Sequence, residues 1–157
     1  MKKFSPFSSV ITANKDIIAG KIRFPKEYLG KELVIEDGKK FTVFRHIVVN
    51  KNNHRQEAVV LKVRFRLANM SAGTNRIFSL FPIPFFIGLP GFLEKLWTIS
   101  EDHKTCQGIY QWESKETAEK YGHSFAMKFM ARRSIPGSVA YKIIPNMPIN
   151  EYFKTLR

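Results

Sequence analysis

The stretch FLEKLWTISEDHKTCQGIYQWESKETAEKY, Phe92 to Tyr121, decides how the rest of the chain is read. FLEKLWTIS and CQGIYQWE are rich in β-branched and aromatic residues, and the polar EDHKT stands between them, so the two read as an antiparallel hairpin. Ser114 then caps a helix. Along SKETAEKYGHSFAMKFMARR, residues 114–133, Ala118, Tyr121, Phe125 and Phe129 recur at three- and four-residue spacing, which predicts one amphipathic helix.

Upstream, VVLKVRFRL alternates cleanly. Val59, Leu61, Val63, Phe65 and Leu67 point one way, and Lys62, Arg64 and Arg66 the other, as in a strand. Ser71 to Leu80 predicts a short helix capped by Ser71 or Thr74, which Pro82 and Pro84 must end or distort. Downstream, Ile135-Pro136-Gly137 turns the chain into SVAYKII, a last strand ended by Pro145 and Pro148. Residues 58–145 thus spell β-α-β-β-α-β, an α+β order, and residues 146–157 read as a C-terminal tail. Residues 1–55 read as an N-terminal extension, irregular except for ELVIEDGKKFTVFRHIVV, which predicts a β-hairpin over about 32–49 with its turn at Asp37-Gly38. At 157 residues the chain is expected to be one domain with a real core.

The 26 Lys and Arg against 13 Asp and Glu leave +13, which attracts anions such as nucleic acid, acidic lipid or a carboxylate ligand. The basic residues are scattered, as on a solvated surface. Cys106 is the only cysteine, which excludes an intrachain disulfide framework and a cysteine-clustered zinc site and suits a reducing interior. No continuous apolar region follows the two N-terminal lysines, so a cytoplasmic protein is expected. The apolar FSLFPIPFFIGLPGF, Phe78 to Phe92, belongs to 17 uncharged residues between Arg76 and Glu94. That is short of the roughly 20 a spanning helix needs, and Pro82, Pro84 and Pro90 break it. A proline-kinked segment over a pocket or an interface is expected, its phenylalanines largely buried.

His46, His54 and His103 have no metal-ligand spacing, and GxSxG, HExxH, Walker and GxGxxG motifs are absent. No metal and no cofactor is expected. RNA-recognition motifs share the β-α-β-β-α-β order, but CQGIYQW lacks their Lys/Arg-Gly-aromatic signature, so nucleic acid is not an expected partner.

LPGFLEKLWTI, the polar loop, QGIYQWESKETAEKY and the closing strand together resemble the ferredoxin-like dimeric α+β barrel superfamily. Within it they resemble small mono-oxygenase-like proteins related to the antibiotic-biosynthesis mono-oxygenases. The resemblance covers residues 58–145. It implies a homodimer with two sheets facing each other and an apolar cavity between sheet and helices in each subunit. The Phe78–Phe92 segment would then roof the cavity or meet the partner. Heme-degrading members use an Asn on the first strand with a Trp and a His on the second helix. Asn69 stands near the first position, but Tyr121 and Ala131 occupy the others, so heme is not carried over.

The candidate pocket residues are Arg64, Arg66, Asn69, Phe85, Phe86, Trp97, Tyr110, Trp112, Tyr121 and His123. Lys62, Arg64 and Arg66 form either a solvated outer face or, if they point inward, a cluster that an anion or acidic side chains must neutralise, which predicts an acidic ligand. Trp97, Tyr110 and Trp112 either stack on a planar ligand or fill the core. His123 stands beside the buried stripe of its helix, where a solvated side chain is the plainer reading. What the resemblance implies for function is a cofactor-independent mono-oxygenase acting on an apolar or aromatic, acidic substrate. The rival readings are a small-ligand binding protein without catalysis and, behind it, single-stranded RNA binding or peripheral membrane attachment through the Phe-rich stretch.

Overall fold

Alternation of apolar side chains from Val59 onward builds the middle of one large sheet. The computed structural model describes residues 10–12, 14, 15, 17, 19–50, 58–80 and 82–156. Its strands are β1 (Ile22–Arg23), β2 (Glu32–Val34), β3 (Lys40–Val49), β4 (Val59–Arg66), β5 (Phe92–Ser100), β6 (Thr105–Trp112) and β7 (Ala140–Ile144). They lie in the order β1-β3-β5-β6-β4-β7, with β2 on β3, and every pairing is antiparallel. The strands of the β-α-β-β-α-β unit therefore stand fourth, first, third, second, which is the ferredoxin-like arrangement. The N-terminal hairpin β2–β3 widens that sheet at the β5 edge. Its turn is the expected one: Gly38 takes φ +79°, and Lys39 N–H donates to Asp37 Oδ1 at 3.1 Å.

The helices are α1 (Ala72–Phe78), α2 (Ile83–Ile87), α3 (Lys115–Gly122), α4 (Phe125–Arg132) and α5 (Ile149–Thr155). Ser71 caps α1, its side chain accepting from Thr74 N–H. The prolines divide the Phe78–Phe92 stretch as expected: α1 stops, Pro82 precedes the five-residue α2, and Phe86, Ile87 and Leu89 are buried. Phe85 is half-buried, and the side chains of Phe78 and Phe81 lie outside the described residues. No helix among the described residues is long and apolar enough to cross a membrane.

Three expectations change. The single helix over 114–133 is two helices, because the Ser124 hydroxyl accepts from Met127 N–H and starts α4 afresh after α3 ends at His123. The tail 146–157 is not a tail: α5 packs Ile149 and Tyr152 on Val60, Leu96 and Ile109, across the sheet from α1–α4. It thus covers, from within the chain, the middle of the face that a facing sheet was expected to cover. Finally, the cations of β4 need no acidic ligand. Lys62 Nζ donates to Glu36 Oε1 at 2.6 Å and lies 5.4 Å from the Tyr152 ring; Arg64 bonds Asp37 Oδ2 at 2.5 Å and Gln107 Oε1 at 2.9 Å. The acids of the β2–β3 turn neutralise the bases of β4. Burial pushes the Glu36 carboxyl up, but hydrogen bonds from Lys62 and Tyr152 and the Lys62 charge outweigh it and hold Glu36 below the usual carboxylate value.

Tyr152 fixes α5, being 1% exposed and donating to Glu36 Oε1 at 3.2 Å. Tyr152→Ala should lower stability in urea by about 3 kcal/mol or more, since it empties a large aromatic site and strips Glu36 of a donor. A change below about 1 kcal/mol would mean that α5 does not serve as the cover of this face.

Candidate functional site

On the face opposite α5, the sheet carries large aromatic side chains and the helices above it are short. β5 sends Lys95 and Trp97 to this side, and β6 sends Cys106, Gly108, Tyr110 and Trp112. Trp112 stacks on Tyr110 with ring centroids 6.5 Å apart, and Tyr121 of α3 meets Tyr110 hydroxyl to hydroxyl at 2.9 Å. Gly108 is glycine for a reason of space: a Cβ there would stand 2.6 Å from the Tyr110 ring, which lies across that position. Phe86 of α2 meets Tyr110 edge to face, centroids 6.2 Å apart. Between this floor and α1, α2 and α4 lies a cavity of about 50 Å³.

Six aromatic side chains line it: Phe44, Phe65, Phe86, Trp97, Tyr110 and Phe129. Lys95 enters among them, 3% exposed, with Nζ 4.0 Å from the Phe86 centroid, 4.2 Å from Trp97 and 4.4 Å from Tyr110. Among the described residues no carboxylate pairs with it, and no Asp or Glu lines the cavity. Three ring faces solvate an ammonium only in part. Burial, reinforced by the nearby Arg45 charge, therefore holds the Lys95 amine well below the ordinary lysine value.

The other polar side chains that point into the cavity are engaged; Gln107 lines it from the strand, but its side chain bonds Arg64 on the opposite face, where its Nε2 is left without a partner among the described residues. Asn75 Nδ2 donates to Cys106 Sγ at 3.2 Å, and burial raises the Cys106 thiol to about 12, so it stays protonated at neutral pH. Burial likewise pushes the Tyr110 and Tyr121 phenols up. Arg45 lies 5.8 Å from the Trp97 ring, bonds Ser79 Oγ and donates to Arg76 O at 3.0 Å. Arg133, partly exposed, also lines the cavity and donates to Met70 Sδ at 3.5 Å.

Of the sequence candidates, the fold brings Phe86, Trp97 and Tyr110 to the cavity and sets Trp112 and Tyr121 directly behind them. Phe85 packs beside it, edge to face on Phe125 at 5.7 Å. Four stand elsewhere. Arg64 and Arg66 are on the opposite sheet face, by the same alternation that puts Val63 and Phe65 on this one. Asn69 is exposed in the turn after β4 at φ +48°, and His123 is exposed at the end of α3. Lys95 was missed, although its two-residue spacing from Trp97 on FLEKLWTIS placed both on one face. Among the described residues no three His, Cys, Asp or Glu side chains gather as a metal site would require.

The unpaired amine makes stability depend on pH. The unfolded chain binds the Lys95 proton up to about pH 10.5 and the folded chain releases it lower, so folding stability rises with pH across that window and falls as pH drops through it. The wild-type protein should gain on Lys95→Met by up to about 1.4 kcal/mol per pH unit above neutrality, read from urea midpoints. Parallel curves for the two proteins would show that Lys95 keeps its proton when folded.

No protein-family model matches the chain, and no curated protein matches it in sequence. Solved structures do resemble it. A ferredoxin-fold protein related to antibiotic-biosynthesis mono-oxygenases from Listeria monocytogenes superposes with a TM-score of 0.53 at 12% identity, over 82% of this chain and 93% of that one. A mono-oxygenase-like protein from Listeria innocua gives 0.53 at 12% identity over 82% and 92%. A heme-degrading enzyme from Listeria monocytogenes gives 0.51 at 15% identity over 81% and 97%. At such identities the likeness is one of fold. The chain has the ferredoxin-like fold of the proteins related to antibiotic-biosynthesis mono-oxygenases.

Proposed function

We propose that the chain is a small-molecule enzyme of the mono-oxygenase type, needing no cofactor and acting on a small electron-rich aromatic substrate in this cavity. The observation that carries the reading is the cavity itself, a small recess lined by six aromatic side chains and a buried amine. Such a place excludes water and holds a flat ring near dioxygen. A deprotonated substrate passes one electron to dioxygen, the two radicals combine as a peroxide, and loss of water leaves a carbonyl. The net reaction takes a ring CH₂ and O₂ to C=O and H₂O, all four electrons coming from the substrate. A benzene-sized ligand needs roughly 150 Å³. The cavity at about 50 Å³ is smaller, so entry of a ring requires the short α2, which carries Phe86, to move outward. Heme does not fit: no histidine among the described residues lines the cavity, and its volume is far too small.

A non-catalytic binding protein is the second reading, favoured by the lack of any histidine or carboxylate on the cavity wall among the described residues. A second copy of the chain belongs to the proposal as well. Because α5 occupies the middle of the expected interface, that copy would sit on what α5 leaves open. Sedimentation equilibrium tests it, and a strict monomer would assign the cover of this face to α5 alone.

For activity, oxygen uptake should be measured with a panel of monohydroxy phenols and naphthols. Uptake above the protein-free rate, abolished by filling the cavity with Ala126→Phe, is the expected result. Ligand binding without uptake would make the chain a binding protein, and neither binding nor uptake would make the cavity a packing gap.

A further inference from the structure

Resting on the small-ligand reading of the cavity, we infer that its ligand is a planar ring bearing a single ionisable hydroxyl, a phenol or enol, and that Lys95 Nζ accepts the proton of that hydroxyl. The hydrogen-bonding capacity left in the cavity selects this class. From β6, Tyr110 spends its hydroxyl on Tyr121 and Cys106 takes the amide of Asn75. From α1, Ser79 donates to Arg76 O at 2.7 Å; from β3, Arg45 bonds Ser79 and Arg76; from α4, Arg133 reaches Met70. Lys95 Nζ has three rings around it and no hydrogen bond among the described residues.

One free nitrogen suits one oxygen. A carboxylate brings two oxygens and about four lone-pair sites, and one of the two would face ring surface without a donor. A phenol or enol enters neutral, which spares it the desolvation of a charge on the way in. Its hydroxyl then donates to the amine lone pair. Transfer breaks the O–H bond, forms an N–H bond and leaves an oxyanion against an ammonium, with no change in electron count. The Phe86, Trp97 and Tyr110 rings, which hold the amine in place, then hold the ammonium by cation–π attraction. An uncharged amine is the form that burial and Arg45 favour, while the Cys106 and Tyr110 protons stay on their atoms and do not compete.

The test uses the full chain and para-cyanophenol at pH 7, where the free probe is mostly undissociated and its phenolate absorbs at longer wavelength. Bound to the wild-type protein it should show the phenolate band. Bound to Lys95→Met, or to Lys95→Gln should the methionine variant fail to fold, it should show only the neutral band. The methyl ether para-cyanoanisole and the acid para-cyanobenzoate should bind the wild-type protein roughly tenfold or more weaker than the phenol. A bound phenol that stays neutral, a phenolate band that survives both substitutions, a carboxylate that binds as well as the phenol, or no binding of any probe would each overturn the inference. Proton transfer in the absence of any oxygen uptake would sink the mono-oxygenase reading alone and leave this one standing.

Discussion

A sheet with apolar side chains on both faces has to be covered on both sides, and the rest of this structure answers to that requirement. Val60, Leu96 and Ile109 look one way, and Leu61, Val63, Trp97 and Tyr110 the other, none of them more than 8% exposed. The β-α-β-β-α-β unit supplies helices for one side only. Cover for the other comes from the two ends of the described chain: α5 from the C-terminal end, and from the N-terminal side the hairpin whose Leu33 and Val43 join the same cluster.

The two covers differ in kind, and that difference places the site. On the α5 side the charged groups that intrude are paired, Lys62 with Glu36, Arg64 with Asp37 and His46 with Glu94 at 2.6 Å, and the Nε2 atoms of Gln107 and Gln111 are buried there without a partner among the described residues. On the other side a broken layer of short helices has to span Trp97, Tyr110, Trp112 and Tyr121. Flat rings meeting edge to face beneath helices of five to eight residues do not close every gap. Into the gap that remains comes Lys95, the one buried lysine among the described residues without a carboxylate. Its lack of compensation is a cost in stability, and costs of that kind gather at places that bind or transform something.

The Phe-rich stretch takes its meaning from the same geometry. Its prolines deny it a regular helix, so it becomes two short pieces over the sheet, and Phe86, Ile87 and Leu89 go inward. It is a wall built to be shorter and less tied than a continuous helix, since each break leaves backbone groups to be satisfied locally.

What the sequence determined by itself was local and periodic. Period-two alternation on Val59–Leu67, the Asp37-Gly38 turn, the serine caps and the chain order of strands and helices all follow from interactions between residues a few positions apart. They were enough for the ferredoxin-like order and for the aromatic floor. Which face of β4 holds the cavity was not legible, because alternation separates two faces without saying what covers each. Glu36 meets Lys62 across 26 positions and Tyr152 across 116, so neither the neutralised bases of β4 nor the role of α5 could be seen in any short window. Lys95 shows the division within one residue. Its strand and its face are readable from FLEKLWTIS, but its lack of a carboxylate partner among the described residues depends on all the elements around it, and only the folded chain assembles those.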